Sequence, residues 1–182
     1  MKRRTVFKHL AMASAAAWLL PSCVSDPKKV SIALNRLNIS GDEETLIADI
    51  ADTLIPATHT PGARAVGAHL FTLVMVDDCL PADEREKYLK GMRRFDEEVK
   101  SLTGKRFSSA SEEERLAMLT TLEGRMDEMS EDTMVFYRKT REYIIQGYVS
   151  SQHFLTDIKP YQLVPGPNYN GCAPVADKNT LS

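Results

Sequence analysis

The chain is poor in the residues that usually carry chemistry. Its 182 residues include three cysteines, four histidines and one tryptophan. Trp18, His9 and Cys23 all fall in the first 23 positions, which leaves His59, His69 and His153 with Cys79 and Cys172 in the body. A c-type haem needs Cys-x-x-Cys-His, which is missing. Two cysteines, or three with Cys23, are too few for an iron–sulfur cluster. No Gly-x-Gly-x-x-Gly run follows a strand pattern, and there is no P-loop, so the two common nucleotide cradles are excluded. No histidine has a partner that completes a recognised zinc pattern. Charge of one sign is not in excess either. The formal net charge is −2 with both signs interspersed, which gives no nucleic-acid surface.

What the sequence does have begins at its start. Lys2-Arg3-Arg4-Thr5-Val6-Phe7-Lys8 leads into a mildly apolar, alanine-rich run. The pattern reads as a twin-arginine export signal carried by Arg3 and Arg4. That route serves proteins that are folded before export, commonly around a cofactor. The apolar run is too short and weak for a membrane span, which needs about 20 residues. Ala13-Ser14-Ala15 has a cleavage-site form but lies inside the run. Leu20-Pro21-Ser22-Cys23 resembles a lipobox, which makes Cys23 the lipidated first residue of a mature, membrane-anchored chain. In the competing reading Cys23 is lost with the signal. The expected location is the periplasm or cell envelope. Residues 1–23 are thus signal, residues 24–39 a polar tether, and residues 40–182 one domain, long enough to bury a core.

The body reads as all-α, a bundle of about five helices. Ser40 and Glu43 form a capping box ahead of a helix with Leu46, Ile47, Ile50, Leu54 and Ile55 on one face, ended by Pro56. A second helix runs from about Ala65 to Leu80, with Val66, Leu70, Leu73, Val74 and Met75 inward. The third runs from Pro81 to Gly104 on a stripe of Tyr88, Leu89, Met92, Phe95, Val99 and Leu102. Ser111 and Glu114 repeat the capping box for a fourth, with Leu116, Leu119 and Leu122 facing in. Ser130 caps a fifth from Glu131 to His153, crowded on one side by Met134, Phe136, Tyr137, Thr140, Tyr143, Ile144 and Tyr148. From about 157 the chain is rich in proline and glycine and reads as an extended tail laid over a surface.

Candidate chemical groups have plainer readings. Asp49 with Asp52, and Asp77 with Asp78, could be paired carboxylates, yet such residues normally form the wet face or rim of a helix. Ser150, Ser151 and His153 lack anything to orient the histidine, and serines there serve as caps. His69, Asp77 and Cys79 remain an open combination for a metal. Cys79 and Cys172, the two cysteines left in an exported domain, are expected to form a disulfide. No catalytic, cofactor-binding or metal residue is assigned to this chain. A leader suited to cofactor-bearing cargo therefore implies a cofactor in another chain.

Two stretches together resemble a known family. "LIADIADTLIPATHTPGARAVG" is similar to the helix–Pro–loop–Pro-Gly-Ala signature of the gluconate 2-dehydrogenase subunit 3 family. "GYVSSQ" followed by "PYQLVPGPNYNGC" resembles its C-terminal pattern. The resemblance covers about residues 42–175. It implies a non-catalytic small subunit of an exported sugar, sugar-acid or polyol dehydrogenase. The implied partner is a large FAD-dependent chain of the glucose–methanol–choline type, often joined by a cytochrome c. Partner contacts are expected at Tyr148, Val164, Pro165, Gly166 and Tyr169. The alternative is a stand-alone helical lipoprotein that binds a small ligand between its helices.

Overall fold

The computed structural model describes residues 29–159. Arg3, Arg4, Cys23, Val164, Pro165, Gly166, Tyr169 and Cys172 lie outside that range. Five helices make the body: α1 Gly41–Leu54, α2 Ala68–Cys79, α3 Ala82–Thr103, α4 Glu112–Gly124 and α5 Glu131–Val149. Among the described residues there is no β-strand, and no helix is long and apolar enough to cross a membrane.

The helix ends follow from local chemistry. Ser40 Oγ accepts from the Glu43 N–H, and Glu43 reaches back to the Ser40 N–H at 2.7 Å. Ser111 and Glu114 do the same for α4. These reciprocal bonds satisfy amides that a helix start otherwise leaves open. Gly104 ends α3 with φ at 84°, a left-handed conformation that glycine adopts without steric cost. Ser130 caps α5, and its own N–H and hydroxyl are held by Glu98 of α3 at 3.0 and 2.7 Å.

α3 and α5 are the spine. Gly91 lets them approach closely: a Cβ there would stand 2.0 Å from the Asp132 carbonyl oxygen. Around this contact Tyr88, Phe95, Phe107 and Phe136 stack edge to face, with centroids 5.0–5.6 Å apart. The one polar atom inside this aromatic cluster is satisfied, because Tyr88 Oη and Thr140 Oγ1 share a 2.8 Å hydrogen bond. α1 and α2 close the other side with Ile47, Ile50, Leu73 and Val76, all fully buried.

Several expected faces are corrected. α2 starts at Ala68, three residues late, because Ala63–Gly67 form turns first. Its inward side is Thr72, Leu73, Val76 and Asp77, whereas Val74 is 43 % exposed. Leu116 is not on the inner face of α4 but is 58 % exposed, and Met118 takes its place. α5 ends at Val149, and a short π-helical turn over Phe154–Ile158 follows. The described part of the expected tether is not free chain either. Leu37 is buried, and Ile32, Leu34 and Ile39 pack against the core.

Candidate functional site

The end of α1 and the loop behind it form one folded unit. Pro56 stops the helix, and the Ala63 N–H returns to the Ile55 carbonyl at 2.8 Å. Gly62 sits in the crossing. A Cβ there would lie 2.6 Å from the Ala57 nitrogen and 2.8 Å from the Ile55 oxygen, so no side chain fits. Ala63 is wholly buried. Arg64, next in the chain, turns back to Asp49 at 3.0 Å. The second Asp49 oxygen takes Arg115 of α4 at 2.8 Å. Arg115 also covers the Phe107 ring at 5.4 Å and donates from Nε to the Phe107 carbonyl. Asp49 is thus a staple between the loop, α1 and α4, not half of an acid–base pair.

The far end of α5 meets this unit. Tyr148 is 9 % exposed, its ring lies edge-on to Phe154, and its hydroxyl donates to the Pro61 carbonyl at 3.3 Å. Gly147 faces the Phe71 ring, with 3.0 Å between that ring and a would-be Cβ. Two stretches of sequence 87 positions apart therefore assemble at one end of the bundle. Tyr148, expected as a partner contact, is placed inside this joint with its hydroxyl already bonded.

Beside the joint lies an open groove of about 310 Å³, lined by Asp52, Pro56, Ala57, Glu112, Glu113 and Leu116. A wider one of about 530 Å³ runs along α1 and α3 past Asp42, Leu46, Arg93 and Asp96. Both are surface furrows floored by a few aliphatic groups and rimmed by carboxylates.

Asp77 performs the task that sequence reading missed. It is 2 % exposed, and its carboxylate accepts the N–H groups of Asn35, Arg36 and Leu37 at 2.8, 2.7 and 2.6 Å. Arg36 turns its guanidinium onto the Asp77 and Asp78 carbonyls, and Arg85 binds the Leu80 carbonyl. Ser31 N–H donates to Glu44 at 2.7 Å and completes the docking of the segment. Burial pushes the Asp77 carboxyl up. The three amide donors and Arg36 outweigh it and hold the group below its ordinary value. The signal was present in the sequence: Asp77 shares a helical phase with Leu73 and Leu80, a core position rather than a rim.

The remaining candidates are spread apart. Ser150 Oγ bonds the Gln146 carbonyl, and Ser151 Oγ accepts the Phe154 N–H. His153 Nδ1 pairs with Asp157 at 2.8 Å. Burial lowers the His69 pKa, partly offset by Glu44. His59 is exposed in the loop. Among the described residues no group of three or more metal-ligating side chains comes together. Cys79 is exposed at the end of α2.

The family model for gluconate 2-dehydrogenase subunit 3 matches residues 41–166. No curated protein and no solved structure matches the chain. The matched span takes in all five helices, the Pro-Gly loop and the Gly147-Tyr148 pair that closes on it. The chain belongs to the gluconate 2-dehydrogenase subunit 3 family.

Proposed function

We propose that this chain is the non-catalytic small subunit of a cell-envelope FAD-dependent dehydrogenase for a sugar, sugar acid or polyol. It supports export and assembly of a large flavin subunit of the glucose–methanol–choline type, with a cytochrome c as a further partner. The observation that carries this is the family match over residues 41–166. The use of charge within the chain agrees with it. Asp49 is spent on Arg64 and Arg115, and Asp77 on three backbone amides, as befits a scaffold held in one shape. In this proposal Arg3 and Arg4 route the folded pair out of the cytoplasm, and Cys23 holds it at a membrane. FAD is bound by the partner, not by this chain.

The test is Arg3→Lys combined with Arg4→Lys in cells that make both subunits. Both this chain and the flavin-bearing chain are expected to remain in the cytoplasm. Normal export of an active flavin dehydrogenase in that variant would overturn the proposal.

A further inference from the structure

The narrow groove beside the joint has a floor and a rim of opposite character. Pro56 and Ala57 of the loop and Leu116 of α4 supply the floor. Leu116 is 58 % exposed, the most exposed large hydrophobic side chain among the described residues. Asp52 of α1 and Glu112 and Glu113 of α4 supply the rim. Arg115 also lines the groove, but its guanidinium is taken by Asp49 and the Phe107 ring. Among the described residues none of the three rim carboxylates has an ion pair. The two glutamates suit their own helix, because they stand in the first turn of α4, where negative charge is favoured. Asp52 does not. It stands in the last turn of α1, where open carbonyls disfavour a negative charge, and that turn has no basic residue. The nearby ring of His69 gives no counter-charge, since burial lowers its pKa and leaves it neutral at pH 7.

We infer that this groove is the docking site for a long basic side chain, arginine or lysine, on the surface of the flavin subunit. The identity of that chain rests on the subunit reading above; the chemistry of its side chain rests on the groove. Arginine and lysine carry a charged head on an aliphatic stem, and they bury the stem while the head stays among polar groups. Here the stem lies over Pro56, Ala57 and Leu116, and the head meets Asp52 and Glu112. A cation in that place gives the last turn of α1 the charge that it lacks. The walls are set before anything binds. Gly62 packs directly against the Ala57 nitrogen, and Asp49 ties α1 to α4 through Arg115. Little ordering is left to offset the contact. A second copy of this chain is a poorer donor, because Lys87, Lys90, Lys105 and Arg106 are each already paired with a carboxylate of their own chain.

The test uses the full chain made in cells together with the flavin subunit. Asp52→Lys combined with Glu112→Lys is expected to weaken the complex by at least about tenfold and to flatten its dependence on salt. Asp83→Lys combined with Asp127→Lys, which makes the same charge change outside the groove, should leave it within about twofold of wild type. Carbodiimide labelling of Asp52 and Glu112 should be lower in the wild-type complex than in the free chain. Free Asp52→Lys should unfold in urea at the wild-type midpoint or above it, since lysine suits a helix C-terminus. A lowered midpoint would mean that Asp52 serves a partner within its own chain, and would overturn the docking. So would a wild-type complex that the groove reversal leaves unmoved, or equal labelling in the free and bound chains. In those cases the subunit reading stands and the groove alone falls. A wild-type chain that purifies as a homodimer, and as a monomer after the reversal, would make a second copy the occupant and overturn the assignment to the flavin subunit. A wild-type chain that holds no flavin subunit would overturn the subunit reading and this docking with it.

Discussion

Replacing Asp77 with asparagine removes a charge and keeps the shape. The amide oxygen can still accept from one or two of the N–H groups at positions 35–37, but the amide nitrogen then faces the remaining donor. A hydrogen bond to a charged acceptor contributes about 1.5–3 kcal/mol. Three of them, added without correction, overstate the loss, because residues 31–39 can detach and return their amides to water. The carboxylate is also covered by only one pass of chain. A cost of about 2–4 kcal/mol at pH 7 is expected, set by the undocking of that segment. Because the folded-state pKa of Asp77 is depressed, its contribution is present above the ordinary carboxylate value, about 3.9, and disappears as pH falls through the folded value. Urea unfolding of wild type and Asp77→Asn should therefore differ at pH 7 and converge below about pH 4. Hydrogen exchange supplies the local readout: amides 35–37 should lose protection in the variant while those of α3 and α5 keep theirs. A variant within about 0.5 kcal/mol of wild type at pH 7, or a gap that persists unchanged into acid, would refute the clamp.

The crossing of α3 and α5 makes Gly91→Ala the harshest small substitution in the spine. The Asp132 carbonyl has to move, at a cost of about 3 kcal/mol or more, read as a fall in the urea midpoint. Leu116→Ser should change stability by less than about 0.5 kcal/mol, while Leu122→Ala on the same helix should cost about 2–5 kcal/mol. Equal losses at the two sites would mean that the face of α4 is misassigned.

Where one face is apolar and the other charged, periodicity in the sequence located the elements and their burial. α3 and α5 met that condition, and Tyr88, Phe95, Val99, Phe136 and Ile144 are buried as their spacing requires. The capping boxes at Ser40 and Ser111 were legible because both partners sit three residues apart. α2 was not legible in the same way. Apolar residues surround it almost completely, so nothing in its spacing could separate Val74 from Val76. Of its inward polar residues, Thr72 satisfies its hydroxyl on the Ala68 carbonyl one turn back, whereas Asp77 is there for three amides about 40 residues away. The Asp49 staple was hidden for the same reason. Its arginines come from a loop and from a different helix, and only the fold brings them to one carboxylate.

The docking of residues 31–39 also sets a height. Among the described residues, the first side-chain tie after Cys23 is at Ser31, eight residues on. Eight residues reach at most about 28 Å, against about 58 Å had all of residues 24–39 been slack. With the proposed anchor at Cys23, the bundle would be leashed close to the bilayer, about one small-domain diameter away at full stretch. A large redox partner seated on it would be kept near the lipid surface, where quinones and membrane-bound electron carriers are found. Releasing both the Ser31–Glu44 bond and the Asp77 clamp would let the leash out roughly twofold without touching the anchor.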